Sequence, residues 1–251
     1  MTAALLELHA ALAPVVATVA LAFLRIGAMV LLVPGLGDRT IPVRVRLTGA
    51  LALALAAAPM LPPAPPLTPG LILGESIVGL ALGAALRFVA QALIMAGTMG
   101  AQLTSLSHLF GGVEPSSAFG TLLDRAGLCL LMMAGLPLWL LDCVLGSYEV
   151  MPLGAALPGG DAARWGVALM AGGFALAFGL AAPFAIAALL YNLALGVMSR
   201  AMPQLMVALV GAPAITGLAG LLLLLSAPLV LTVWREAMLA ALADPIAGGL
   251  P

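Results

Sequence analysis

The chain is 251 residues long, with 64% hydrophobic and only 8% charged residues. A soluble domain carries roughly a quarter charged residues, so this composition excludes an ordinary water-facing surface and implies cover by lipid or neighbouring helices. All nine basic residues are arginine, and ten acidic residues bring the net charge to −1, which excludes a basic field for nucleic acid.

Charges and Pro/Gly clusters divide the chain into six apolar segments, each to be weighed against the roughly 20 residues that cross a bilayer core. The first runs from His9 to Pro34 with Arg25 inside it, and no positive stretch precedes it as in a cleaved signal peptide, so Met1 onward is expected to stay. The second, Leu47 to Leu61, is short and ends at the stretch Pro62–Pro69, PPAPPLTP, which reads as a stiff extended spacer. The third, Leu71 to Leu103, passes Glu75 and Arg87 and is long enough to be tilted, kinked or broken in two. The fourth spans Ala126 to Gly146 with Asp142 near its end, the fifth Trp165 to Val197, and the sixth Leu205 to Trp234. Pro183, Pro213 and Pro228 inside the last two are expected to kink them. Helices are the default because unpaired backbone in lipid is too costly, and the alternation of a membrane barrel is absent. The fold class is therefore all-α: a polytopic membrane protein forming one domain over residues 1–251, without a separate soluble domain. If all six segments cross, Arg39, Arg44, Arg46, Arg125 and Arg200 share one side against Arg164 and Arg235, which places the first set in the cytoplasm and both termini outside.

Arg25, Glu75, Arg87 and Asp142 lie within or at the edges of apolar segments, where a central charge costs roughly 2.5–3.5 kcal/mol on insertion scales. They read either as a transport pathway or as charges that hold helices together; two acids against two arginines favour the second. Glu75, Gly79 and Gly83 fall at i, i+4 and i+8 and share a helix face, and a Gly-xxx-Gly pair lets backbones approach closely, within the chain or with a partner. Cys129, Cys143, His9 and His108 are scattered; the cysteines read as buried small hydrophobes and neither type as metal ligands. No hydrolase, zinc or phosphate-binding motif is present. Ser105, Ser107, Ser116 and Ser117 near His108, Glu114 and Asp124 read as a turn rather than a serine-hydrolase site, so the chain reads as no enzyme and needs no cofactor.

Four ordered blocks carry a resemblance. Phe23 to Pro59, FLRIGAMVLLVPGLGDRTIPVRVRLTGALALALAAAP, has Arg25, Gly27, Pro34, Pro42 and Arg46 in the pattern of an arginine in the first segment, a proline, then iP-x-x-x-R. Gly74 to Gln102 carries E-x-x-x-G-x-x-x-G, Tyr148 to Gly154 reads YEVMPLG, and Asn192 to Pro213 carries N-x-x-x-G-x-x-x-R-x-x-P-Q followed by vG-x-P. Together these blocks resemble the FliR family of flagellar export-gate proteins. The SctT subunits of virulence secretion systems are the related branch, and the RIG…P…IPVRVR and PLG blocks favour the flagellar one. The chain departs from the family pattern at Met206-Val207-Ala208 and in the loop Ser105-Leu106-Ser107-His108 to Glu114-Pro115.

The resemblance implies a structural, channel-forming subunit of the bacterial inner membrane at the flagellar basal body. It implies assembly with FliP and FliQ, alongside FlhB/FlhA-type components and the basal-body ring, to pass unfolded proteins. It also implies kinked helical hairpins packed with partner subunits, partly above the membrane plane, which tells against six simple crossings. Under it, Arg25, Glu75, Gly79, Gly83, Arg87, Asn192, Arg200, Pro203 and Gln204 are helix-packing or assembly residues. Ser105, Ser107, His108, Phe110, Gly111 and Gly112 match a loop that projects into the pore and closes it. A small-solute permease working through the four intramembrane charges is the more distant alternative.

Overall fold

The computed structural model describes residues 2–38, 40–103, 115–154, 159–201 and 207–246. Among these, the chain is helical and has no strand: α1 (Thr2–Val30), α2 (Val43–Ala57), a 3-10 turn (Ala58–Met60), α3 (Pro69–Leu103), α4 (Pro115–Met133), α5 (Leu136–Val150), α6 (Gly159–Ala201) and α7 (Val207–Ala243). Five stretches are long and apolar enough to cross a membrane: Leu12–Val30, Val43–Met60, Pro69–Leu103, Gly159–Met198 and Gly220–Ala243. The pair α4 and α5 makes a sixth only if its two bent halves count as one span.

The sequence-based segments shift in physically readable ways. The third is one unbroken helix, and Thr68 and Pro69 start it. The Thr68 Oγ1 accepts from the Leu71 N–H at 3.4 Å, while proline at the first position loses no hydrogen bond. The expected single helix Ala126–Gly146 is instead two, because Gly135 adopts a left-handed φ of 83° and Pro137 opens the next helix. The second begins at Val43, so Arg44 and Arg46 lie in the first turns of α2 rather than in the preceding loop. The sixth continues past Trp234, through Arg235 and Glu236, and stops only before Asp244-Pro245. Hydropathy marks where a helix leaves lipid, whereas a proline without an N–H marks where it ends. Pro183 lies inside the unbroken α6, and Pro228 inside α7. Cys143 is buried as expected, but Cys129 is exposed on α4.

The helices form two compact units. One takes its residues from Met1–Phe88, Ala134–Met170 and Met238–Leu250, the other from Val89–Met133 and Ala171–Ala237. In the first, α3 lies directly on α1. A Cβ at Gly79 would collide with the Arg25 carbonyl oxygen, and one at Gly83 would sit 2.6 Å from that of Met29. The α2 helix buries only a stripe of small side chains, Ala50, Ala54 and Ala57. The proline-rich spacer is extended and tied down by one hydrogen bond. Between Pro62 and Pro66 only Ala64 has an N–H, and it donates to the Thr18 Oγ1 of α1 at 2.9 Å. Ala64 then packs with Ala17 and Leu21.

The second unit uses the same close approach. A Cβ at Gly97 would lie 2.5 Å from the Gly120 Cα, and one at Gly120 would lie 2.7 Å from the Ile94 carbonyl oxygen. Gly127 makes room for the Trp234 ring, which is fully buried and whose Nε1 donates to the Val89 carbonyl at 2.9 Å. Phe184 sits over Gly100 and meets Phe119 edge-on, with ring centroids 5.6 Å apart.

Helices in lipid associate through such contacts because no hydrophobic drive separates helix from acyl chain. Gly79→Leu is therefore expected to force α1 and α3 apart and to destabilise the chain by about 3 kcal/mol. Gly49→Leu, at an exposed position where a Cβ meets nothing within 4 Å, should be tolerated. The monodisperse fraction of each variant in mild detergent, compared after a temperature ramp, checks this.

Candidate functional site

The most polar place in the described interior is a closed network around Arg25 and Glu75. The residues are fully buried, with 0% and 1% of the side chain exposed. Helix α1 supplies the arginine, α3 the glutamate one turn before Gly79, and the end of α5 with its following turn supplies the rest. The Arg25 Nε donates to Glu75 Oε2 at 2.7 Å and an Arg25 terminal nitrogen to Oε1 at 3.2 Å, a two-pronged pairing. The remaining Arg25 contacts run to α5 and its turn: Ser147 Oγ at 3.0 Å and the Met151 carbonyl at 3.1 Å. Its guanidinium carbon lies 3.6 Å from the centre of the Tyr148 ring, a cation–π contact.

Glu75 is equally occupied. Its Oε1 also accepts from the Gly154 N–H at 3.1 Å, and its Oε2 from the Tyr148 hydroxyl at 3.3 Å. A carboxylate has about four lone-pair sites, and all of them are in use. The Ser147 hydroxyl donates its own hydrogen bond to the Val144 carbonyl at 2.6 Å. Gly154 reaches the glutamate because its φ is 83° and because a Cβ there would lie 2.5 Å from Leu71 Cδ2. What this arrangement can do is hold three helices and a turn at fixed angles. It offers no free acceptor to a passing proton or cation, and no attacking group in front of a substrate space.

Except for Ser147, which lies one residue before the third block, the residues of this network come from three of the four blocks that carry the resemblance, and the structure brings them to one point. With that geometry in place, comparison with known proteins gives a coherent result. The model of a family described as bacterial export proteins, family 1, matches residues 16–241. The chain belongs to this family. It is 36% identical over 228 residues to the flagellar biosynthetic protein FliR of Caulobacter vibrioides, covering 86% of this chain and 91% of that one. It is 28% identical over 205 residues to FliR of Escherichia coli, covering 76% of each, and 28% identical over 222 residues to FliR of Aquifex aeolicus, covering 85% and 86%.

For this member of the export family, the other candidate residues are dispersed. Gly79 and Gly83 face α1 of the same chain, so their close approach is internal. Of the four charges singled out in or beside apolar segments, only Arg25 and Glu75 pair among the described residues. Arg87 is half-buried and Asp142 exposed, and neither has an ion-pair or hydrogen-bond partner among the described residues. The expected balance of two acids against two arginines fails because Asp142 points away from the face of α5 that carries Ser147. Asn192 and Arg200 lie exposed on α6. Pro203 and Gln204 lie outside the described residues, as do Ser105, Ser107, His108, Phe110, Gly111 and Gly112 of the pore-loop expectation.

Sequence reasoning missed Ser147, Tyr148, the Met151 carbonyl and the Gly154 N–H as members of the network. The available clue was the YEVMPLG block, since a buried Arg–Glu pair needs further donors and acceptors close by. Removing one partner of a buried pair leaves a lone charge and costs about 3–5 kcal/mol, whereas replacing both by apolar groups of similar size is often close to neutral. Glu75→Gln is expected to lower the unfolding temperature strongly, and Arg25→Met with Glu75→Leu to recover much of that loss. Thermal melts of the detergent-extracted variants check both, and equal losses would remove the ion pair as the cause.

Proposed function

We propose that the chain is a structural, channel-forming subunit of the flagellar type III protein export gate. In this reading it sits in the inner membrane at the flagellar basal body and assembles with FliP and FliQ subunits, next to FlhA- and FlhB-type components. Unfolded flagellar proteins pass through the shared conduit. The observation that carries the reading is the likeness to FliR of Caulobacter vibrioides across nearly the full length of both chains, within a family of bacterial export proteins. The flagellar names of all three relatives favour this branch over an injectisome subunit.

The helices support a subunit that other proteins cover. Exposed apolar side chains on α6 run from Val167 through Phe174, Phe178, Ile186 and Leu190 to Val197. At 1.5 Å per residue these side chains extend over about 45 Å of helix. A hydrocarbon core of about 30 Å accommodates at most about 39 Å of helix at a 40° tilt. Lipid alone would leave part of this exposed apolar surface in water, and neighbouring subunits would cover it. The small-solute permease is disfavoured, because Glu75 has no lone pair left for a transported ion.

Deletion of the gene is expected to abolish swimming and the secretion of hook and filament proteins. A tagged chain extracted in mild detergent should bring FliP and FliQ with it, as mass spectrometry of the complex would record. Recovery as a stable, active monomer without FliP would contradict the reading.

A further inference from the structure

The proline-rich spacer does more than join α2 to α3. With Val15 and Val19 of α1, and with Leu55 and Ala58 at the end of α2 and in the turn after it, the spacer lines a groove of about 460 Å³. Among the described lining residues only Thr18 has a polar side chain, and none is charged. The Thr18 hydroxyl donates to the Pro14 carbonyl and accepts from the Ala64 N–H, each at 2.9 Å, so it has no proton left for a guest. Pro14, Pro59 and Pro63 on the wall have no N–H to offer. The Ala64 hydrogen bond also holds the spacer against α1, so the groove is part of the fold before anything enters it.

Such a wall does not hold ordered water, which needs several polar partners. An apolar cavity of about 150 Å³ holds one benzene ring, and on that scale this groove takes roughly eighteen carbons. One Phe or Leu side chain from a neighbouring protein would fill about a third of it. A peptide segment that filled the rest would bring carbonyl and N–H groups, and the wall has no partner for them. The groove lies where two membrane-length stretches share an end: Leu12–Val30 begins beside it and Val43–Met60 finishes there. Val15 and Leu55 at its mouth are more than half exposed, which leaves a side entrance for a linear chain whose polar head stays outside. From this size, chemistry and position we infer that the groove binds one acyl chain of a membrane phospholipid. The chain leaves one apolar medium for another, so the gain comes from packing against a fixed wall. The inference goes beyond the gate-subunit reading and requires only that this end of α1 and α2 meets lipid.

The test supplies cells that make the tagged full-length chain with a fatty acid carrying a diazirine and an alkyne, which they build into their phospholipids. Intact membranes are irradiated, the chain is purified, and lipid adducts are mapped to peptides. Adducts are expected on the groove residues Val15, Val19 and Leu55. Val19→Phe and, separately, Ala58→Phe fill the groove from different walls, and each should cut those adducts about tenfold. Adducts on the exposed α6 residues Val167 and Phe178 should stay unchanged, which shows that the variant chain is folded and in lipid. Val15→Asp sets a charge at the exposed mouth without repacking the interior, and should give the same loss if a filling variant fails to fold. Groove adducts that stay within about twofold of the original in Val15→Asp and in the folded filling variants would overturn the inference, because they would report bulk lipid only. So would the absence of adducts from the groove peptides. A photoreactive residue placed at Val19 that crosslinks to another protein instead of lipid would also overturn it, and would make the groove a protein contact.

Discussion

A guanidinium and a carboxylate shut away from water must satisfy each other completely or not be there, and the arrangement of α1, α3 and α5 follows from that requirement. Arg25 and Glu75 meet through two hydrogen bonds of 2.7 and 3.2 Å. The meeting is possible only because Gly79, one turn beyond Glu75, lets α3 come up against the backbone of α1 at Arg25. The remaining lone pairs and N–H groups then fix where α5 must end. Tyr148, Ser147, the Met151 carbonyl and the Gly154 N–H each take one place around the pair. A buried ion pair is weak evidence for net stability, since desolvation offsets most of its attraction. Its contribution here is angular: few other arrangements of three helices satisfy all those groups at once.

The same charge saturation shapes the functional reading. A conducting carboxylate in a membrane needs a vacancy, and Glu75 has none. The Arg25–Glu75 network is therefore architectural. Long helices, α6 above all, carry exposed apolar side chains along much of their length. That surface suits a subunit covered by lipid and by neighbours, as proposed above. The chain belongs to a family of bacterial export proteins, and the proposal of a conduit subunit rests on that membership.

Much of this was legible in the sequence, and the failures share a cause. The apolar helical class, the intramembrane charges Arg25 and Glu75 and the Gly79–Gly83 face all rest on local composition or on i, i+4 spacing, which a helix converts directly into a face. The glycine contacts of the second unit, Gly97 with Gly120 and Gly127 with Trp234, depend on the register between helices far apart in the chain, which no local pattern encodes. The break at Gly135 was visible as a glycine two residues before Pro137, but the continuous hydropathy on either side outweighed it. Helix ends were misplaced for a related reason: α7 carries Arg235 and Glu236 into solvent and stops at a proline. The backbone groups of Met151 and Gly154 were invisible because every residue has a carbonyl and nearly every one an N–H. Thr18, which accepts from the one backbone N–H between Pro62 and Pro66, looked like any other hydroxyl in an apolar helix.

The central claim is that the Arg25–Glu75 pair is a clasp and not a path. The most direct measurement is protein secretion by cells whose only copy carries Arg25→Met together with Glu75→Leu, normalised to the amount of chain assembled in the membrane. A clasp replaced by apolar packing should leave secretion per assembled chain close to that of the unaltered protein. Normal assembly with secretion abolished would mean that the charges themselves take part in transport, and would contradict the account.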